Sequence, residues 1–186
     1  DVKVAVVDHG VQTTHNDLIP NLSTLSYNTV TGASPSSFDG SSHGLHVAGT
    51  IAAVKDNNLQ VVGVAPQSKI MSVSNPLTGN QFLSSQLASG ITWAYQNGAE
   101  VINNSWGDYG GSLYSYLHSA ILENAIINAI TLGRNGKGTL MVFISGNVAP
   151  NTTPLMDYPG TIDNNIITVG SINFSGQRSI FNTSQG

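Results

Sequence analysis

Two side chains stand where a proton could be moved. Asp8 closes the apolar run Val2-Lys3-Val4-Ala5-Val6-Val7 and is followed by His9-Gly10, while His43 opens the segment Ser42-His43-Gly44-Leu45-His46-Val47-Ala48-Gly49-Thr50. An imidazole takes up and returns a proton near neutral pH, which suits general acid and base work. The small residues on the turns after His43 permit close packing beneath its ring. Two other polar segments also follow apolar runs: Ser105-Trp106-Gly107 after Val101-Ile102, and Ser145-Gly146-Asn147 after Leu140 to Ile144.

These residues need a frame, and the apolar pattern predicts one. Short runs rich in Val and Ile at Val2 to Val7, Ile70 to Val73, Val101 to Ile102, Leu140 to Ile144 and Ile166 to Val169 read as strands. Helical spacing predicts helices over Gly44 to Ala53, Leu83 to Gln96 and about Leu113 to Leu132, with Gly98 and Gly133 placed to cap the last two. Thr29 to Ser42 reads as a surface loop. Strands alternating with helices imply an α/β fold with a mainly parallel sheet, in which ligands sit beyond the carboxyl ends of the strands. All three polar segments fall there.

The His43 segment resembles the His-Gly-Thr-His-Val-Ala-Gly motif of the subtilisin-like serine proteases (subtilases), with Leu45 in place of Thr. Val4 to Val11 resembles the family's Asp motif, with His9 where Ser, Thr or Asp is common, and the order Asp then His is the subtilisin order. Met141-Val142-Phe143-Ile144-Ser145-Gly146-Asn147 resembles the strand and Gly-Asn turn of the oxyanion hole. Similar matches at Val62 to Pro66, Val101 to Gly107, Tyr158-Pro159-Gly160 and Ile167 to Ser171 extend the likeness over nearly the whole chain, in family order. Gly133 to Leu140 and Ser105-Trp106-Gly107 look nearer the kexin and furin branch. The resemblance implies a single partial catalytic domain over residues 1–186, a three-layer fold with helices on both faces of the sheet, incomplete at both ends.

It also implies roles. His43 would be the base, Asp8 the carboxylate that fixes its tautomer and stabilises the imidazolium, and Asn147 the donor to the developing oxyanion. The family's nucleophile lies in a Gly-Thr-Ser motif opening a later helix, and no Gly-Thr-Ser occurs in these 186 residues. Ser171, Ser175, Ser179 and Ser184 sit in what resembles a strand and its following turn, not in that motif. The expectation is a serine endopeptidase whose serine lies beyond residue 186, so that the chain alone is inactive. The rival is a non-catalytic subtilase-like binding domain. A nucleotide-binding α/β domain is excluded because no Gly-rich phosphate loop follows the first strand.

Ser105, Trp106 and Gly107 match the segment that pairs with substrate as an added strand, although a lone Trp is equally a core aromatic. Asp157 matches the floor of the S1 pocket, where a carboxylate would favour Arg or Lys at P1; the competing reading is a solvated loop residue. Asp17 and Asn57, with backbone carbonyls at 55, 59 and 61, match a calcium site, and oxygen ligands suit that ion. Lys55 places a cation beside it. His46 is expected to be packed against its helix, His15 and His118 to lie on the surface, and His9 to be a turn residue, with an approach to the active site as the alternative.

Composition narrows the partners. Charged residues make up 9% of the chain, against roughly 25% in ordinary soluble domains, and the net charge of −4 includes no basic cluster. Nucleic acid and an anionic membrane are unsuited to such a surface; a polypeptide substrate is not. There is no cysteine, so no disulfide or thiol chemistry is available. The resemblance implies no cofactor for catalysis, a structural calcium ion, a secreted or extracytoplasmic protein, and a propeptide or further domains in the parent.

Overall fold

A computed structural model describes residues 1–59, 61–147 and 157–179. Among the described residues, six strands and four α-helices follow along the chain: β1 (Lys3–Asp8), β2 (Tyr27–Asn28), α1 (His43–Ala52), β3 (Lys69–Ser74), α2 (Leu83–Gln96), β4 (Val101–Asn104), α3 (Tyr114–Leu117), α4 (Ala120–Gly136), β5 (Leu140–Ile144) and β6 (Ile166–Val169). The six strands form one sheet in the order β2-β3-β1-β4-β5-β6, and every pairing is parallel. The expected α/β class and mainly parallel sheet are thus observed.

Alternation along β1 sorts its side chains into two cores. Ala5 and Val7 enter the larger one with Met71, Val73, Ile102, Met141 and Phe143, beneath Leu87 and Ile91 of α2 and Leu122 and Ile126 of α4. Val4 and Val6 face the other way and pack with Ile70, Val11, Leu18 and with Ala48 and Ala52 of α1. Helices therefore cover both faces, making three layers. The cover is unequal. On the α1 side, Leu140 of β5 and Ile167 and Val169 of β6 are 49%, 47% and 53% exposed, whereas Met141 and Phe143 on the other side are 0% and 2% exposed.

Several local expectations change. The long helix predicted over Leu113 to Leu132 is two, because the chain leaves helical geometry at His118 and restarts at Ala120 after the extended Ser119, whose hydroxyl accepts the Ile121 N–H at 3.2 Å. Gly98 has φ +85° directly after α2, as a C-terminal glycine should. Gly133 does not: its φ is −56°, and Arg134 and Asn135 take the left-handed conformation instead. Gly133 is required for space, since a Cβ there would lie 2.1 Å from Thr139 Oγ1. Strand β4 runs on through Asn103 and Asn104, whose polarity hid them; Asn104 is buried and donates from Nδ2 to the Val142 carbonyl at 3.2 Å.

Candidate active site

The parallel sheet brings the carboxyl ends of β1, β4 and β5 side by side, and three of the polar segments meet at that edge. Asp8 is the last residue of β1 and shares the face of Val4 and Val6, so its carboxylate points to the α1 side. It is fully buried. His43 is the first residue of α1, and its Nδ1 lies 2.8 Å from Asp8 Oδ1 and 2.9 Å from Oδ2. A carboxylate only accepts, so Nδ1 carries the proton and Nε2 is left as the acceptor, the tautomer a general base requires. The backbone N–H of His9 donates to Asp8 Oδ1 at 2.8 Å and fixes the carboxylate from its other side.

Gly44 makes the approach possible. A Cβ at this position would sit 2.5 Å from the Gly10 carbonyl oxygen and 3.1 Å from Asp8 Oδ1. The glycine after the histidine therefore lets α1 start against the end of β1. Contrary to expectation, His46 is exposed, not packed. His9 is more than a turn residue: its Nδ1 lies 2.8 Å from Asp39 Oδ2.

At the end of β4, Ser105 Oγ accepts from Asn103 Nδ2 at 2.9 Å. Trp106 is 3% exposed and packs edge-on against Phe143 with ring centroids 5.2 Å apart, so its side chain is a core aromatic and only its backbone is available for pairing. Asn147 is exposed beyond β5, on the rim of a pocket of about 280 Å³ lined also by Asn103, Ser105, Ile144, Val169 and Ser171.

Asp157 is not a solvated loop residue. It is 2% exposed, and its Oδ2 and Oδ1 accept the backbone N–H groups of Tyr109 and Gly110 at 3.1 and 3.2 Å. Its carboxylate presses on Gly107, where a Cβ would lie 2.9 Å from Asp157 Cβ. The buried Asp108 lies beside it. Burial, then the charge of Asp108, push the Asp157 carboxyl up to about 6, against the pull of the two amides. Asp108 and Asp39 were not singled out by sequence reasoning. Asp108 directly follows Trp-Gly, but Asp39 carries no local signal.

Asp17 and Asn57 are brought together, with Asn57 Nδ2 donating to Asp17 Oδ1 at 2.7 Å. The amide oxygen of Asn57 accepts the Leu59 N–H at 3.0 Å. A calcium ion needs that oxygen turned toward Asp17; here the nitrogen is, so the pair as arranged does not fit the ion. Among the described residues there is no group of three or more His, Asp or Glu side chains able to hold a metal.

The subtilase family (peptidase S8) profile matches residues 1–185. The chain belongs to the subtilase family. Among curated subtilases it is 37% identical to subtilisin E of Bacillus subtilis (strain 168) over 191 residues, covering 98% of this chain and 44% of that protein. It is 33% identical to subtilisin DY of Bacillus licheniformis over 189 residues, covering 98% and 61%. Fervidolysin of Fervidobacterium pennivorans is 35% identical over 173 residues, covering 86% of this chain and 24% of that protein. The chain thus spans from a quarter to three fifths of these relatives' length. Among solved structures, fervidolysin superposes with TM-score 0.71 at 34% identity over 91% of this chain and 24% of that one. MycP1 superposes with TM-score 0.73 at 24% identity over 98% of this chain and 60% of that one, a likeness of fold alone.

Proposed function

We propose that the full-length protein is a serine endopeptidase of the subtilase type, and that this chain carries its base and the residues around it. The supporting observation is the Asp8–His43 pair: a fully buried carboxylate holding Nδ1 of a half-exposed imidazole by both oxygens. His43 Nε2 takes the proton of the attacking hydroxyl and returns it to the leaving amine, while Asp8 holds the ring and offsets the charge that forms on it. The hydroxyl belongs to a serine beyond residue 186, so residues 1–186 alone do not hydrolyse peptides. Asn147 donates to the oxyanion, and the backbone of Ser105, Trp106 and Gly107 pairs with the substrate.

Asp157 acts at P1. It holds the turn after Gly107 closed and, with Asp108, adds negative charge that favours Arg or Lys. No step depends on a cofactor or a metal. Membership of the family supports a secreted or extracytoplasmic enzyme whose parent carries a propeptide or further domains.

The test is hydrolysis of an unfolded polypeptide by the full-length protein. Wild type is expected to cleave it, and Asp8→Asn and His43→Ala to lower kcat by about 10⁴-fold. Undiminished cleavage by His43→Ala would overturn the reading. Absence of cleavage in wild type would favour the non-catalytic binding domain.

A further inference from the structure

Two histidine–carboxylate bridges, not one, join the end of β1 to the loop that opens α1. Each segment supplies one residue of each kind, and they pair crosswise: Asp8 with His43, and His9 with Asp39. The His9 ring stands nearly perpendicular to that of His43, with centroids 6.3 Å apart at 80°. Asp39 is fixed through its other oxygen as well, since Oδ1 accepts the Ser41 N–H at 2.8 Å. Ser41 Oγ in turn accepts the N–H of His43 at 3.4 Å. A continuous path of bonds therefore runs from His9 through Asp39 and Ser41 to the first amide of α1.

The chemistry of the second bridge suits a permanent brace. Burial alone would raise the Asp39 carboxyl, but the Ser41 amide and the His9 ring outweigh it and hold Asp39 below the usual carboxylate range. Asp39 is therefore an anion throughout the range in which imidazole titrates. Because a carboxylate only accepts, His9 Nδ1 is the donor in this bond. With its side chain 51% exposed, His43 depends for its position on the Asp8 carboxylate and on how the start of α1 is held. The titratable groups against His9 are Asp39 from the loop, Asp8 from β1 and His43 from α1.

We infer that His9 and Asp39 are a positioning pair, holding the loop before α1 against β1 so that His43 Nδ1 stays on Asp8 while Nε2 exchanges its proton. The inference rests on the reading of Asp8–His43 as an acid–base pair. Neither residue touches the reacting atoms.

Imidazole-labelled full-length protein tests it by NMR, through the downfield Nδ1–H signal of His43 in its bond to Asp8, alongside peptide kinetics. In wild type the signal is present, and it disappears in Asp8→Asn. His9→Ala and Asp39→Ala each broaden or lose it and lower kcat about tenfold with KM changed less than twofold. The double variant is no worse than either single one, because both remove the same bridge. His9→Asn, whose amide can still donate to Asp39, restores the signal and most of kcat, which separates lost positioning from misfolding. A sharp signal and full kcat in His9→Ala would overturn the inference and leave the Asp8–His43 reading intact. No such signal in wild type, with turnover indifferent to His43, would overturn that reading and the inference with it.

Discussion

Asp8 and Asp157 are both buried carboxylates at the carboxyl-end edge of the parallel sheet, and their surroundings are opposite. Asp8 meets donors: the His9 N–H and the His43 ring. Asp157 meets two amides but also a second buried carboxylate, Asp108, and is pushed up to about 6. Burial alone therefore does not define the role of an acid; its partners do. The first environment fixes one tautomer of an imidazole ring. The second ties a carboxyl to the turn at Tyr109 and Gly110, with a charge that depends on pH.

The comparison breaks first at the glycines that let each carboxylate approach. A side chain at Gly44 would meet the Gly10 backbone oxygen at 2.5 Å, an atom with little freedom to move, and would displace α1 from Asp8. Gly44→Ala should lower kcat of the full-length protein about a hundredfold, close to 3 kcal/mol in transition-state stabilisation. Wild-type kcat in Gly44→Ala would mean that the close start of α1 is irrelevant to the base.

A second test uses pH. The Asp157 carboxyl is about 6 in the folded protein and 3.8 in the unfolded chain, so the unfolded state holds its proton less tightly. Below 3.8 both states are protonated and nothing is lost. As pH rises from 4 to 7 the folded state is penalised, by on the order of 2 kcal/mol. Urea midpoints of wild type against Asp157→Asn should diverge over that range to the disadvantage of wild type. Parallel curves would remove the like-charge pairing from the account.

The smallest effect concerns specificity. On peptides differing only at P1, Asp157→Ala should reduce the preference for Arg over Leu about tenfold. Equal cleavage after both residues, unchanged by the substitution, would leave Asp157 a purely structural staple.

Most of the frame was legible because short Val- and Ile-rich runs have few other uses, and Asp8 stood out by ending one of them. His43 was legible from the small residues after it, which the structure explains through the tight approach at Gly44. What sequence hid is long-range or compensated. Asp39 reaches His9 across 30 residues and Asp157 reaches Tyr109 across 48, separations that leave no periodic trace. Strand β2 has two residues, too few for any alternation. The break between α3 and α4 was masked by apolar spacing that runs on through it, although Ser119 was a readable cap.

The central claim is that Asp8 and His43 form the base of a serine hydrolase, and phosphonylation measures it most directly. A fluorophosphonate probe should label the full-length protein at one serine beyond residue 186, label His43→Ala at least a thousandfold more slowly, and leave residues 1–186 alone unlabelled. Equal labelling of wild type and His43→Ala, or an adduct on the isolated chain, would contradict it.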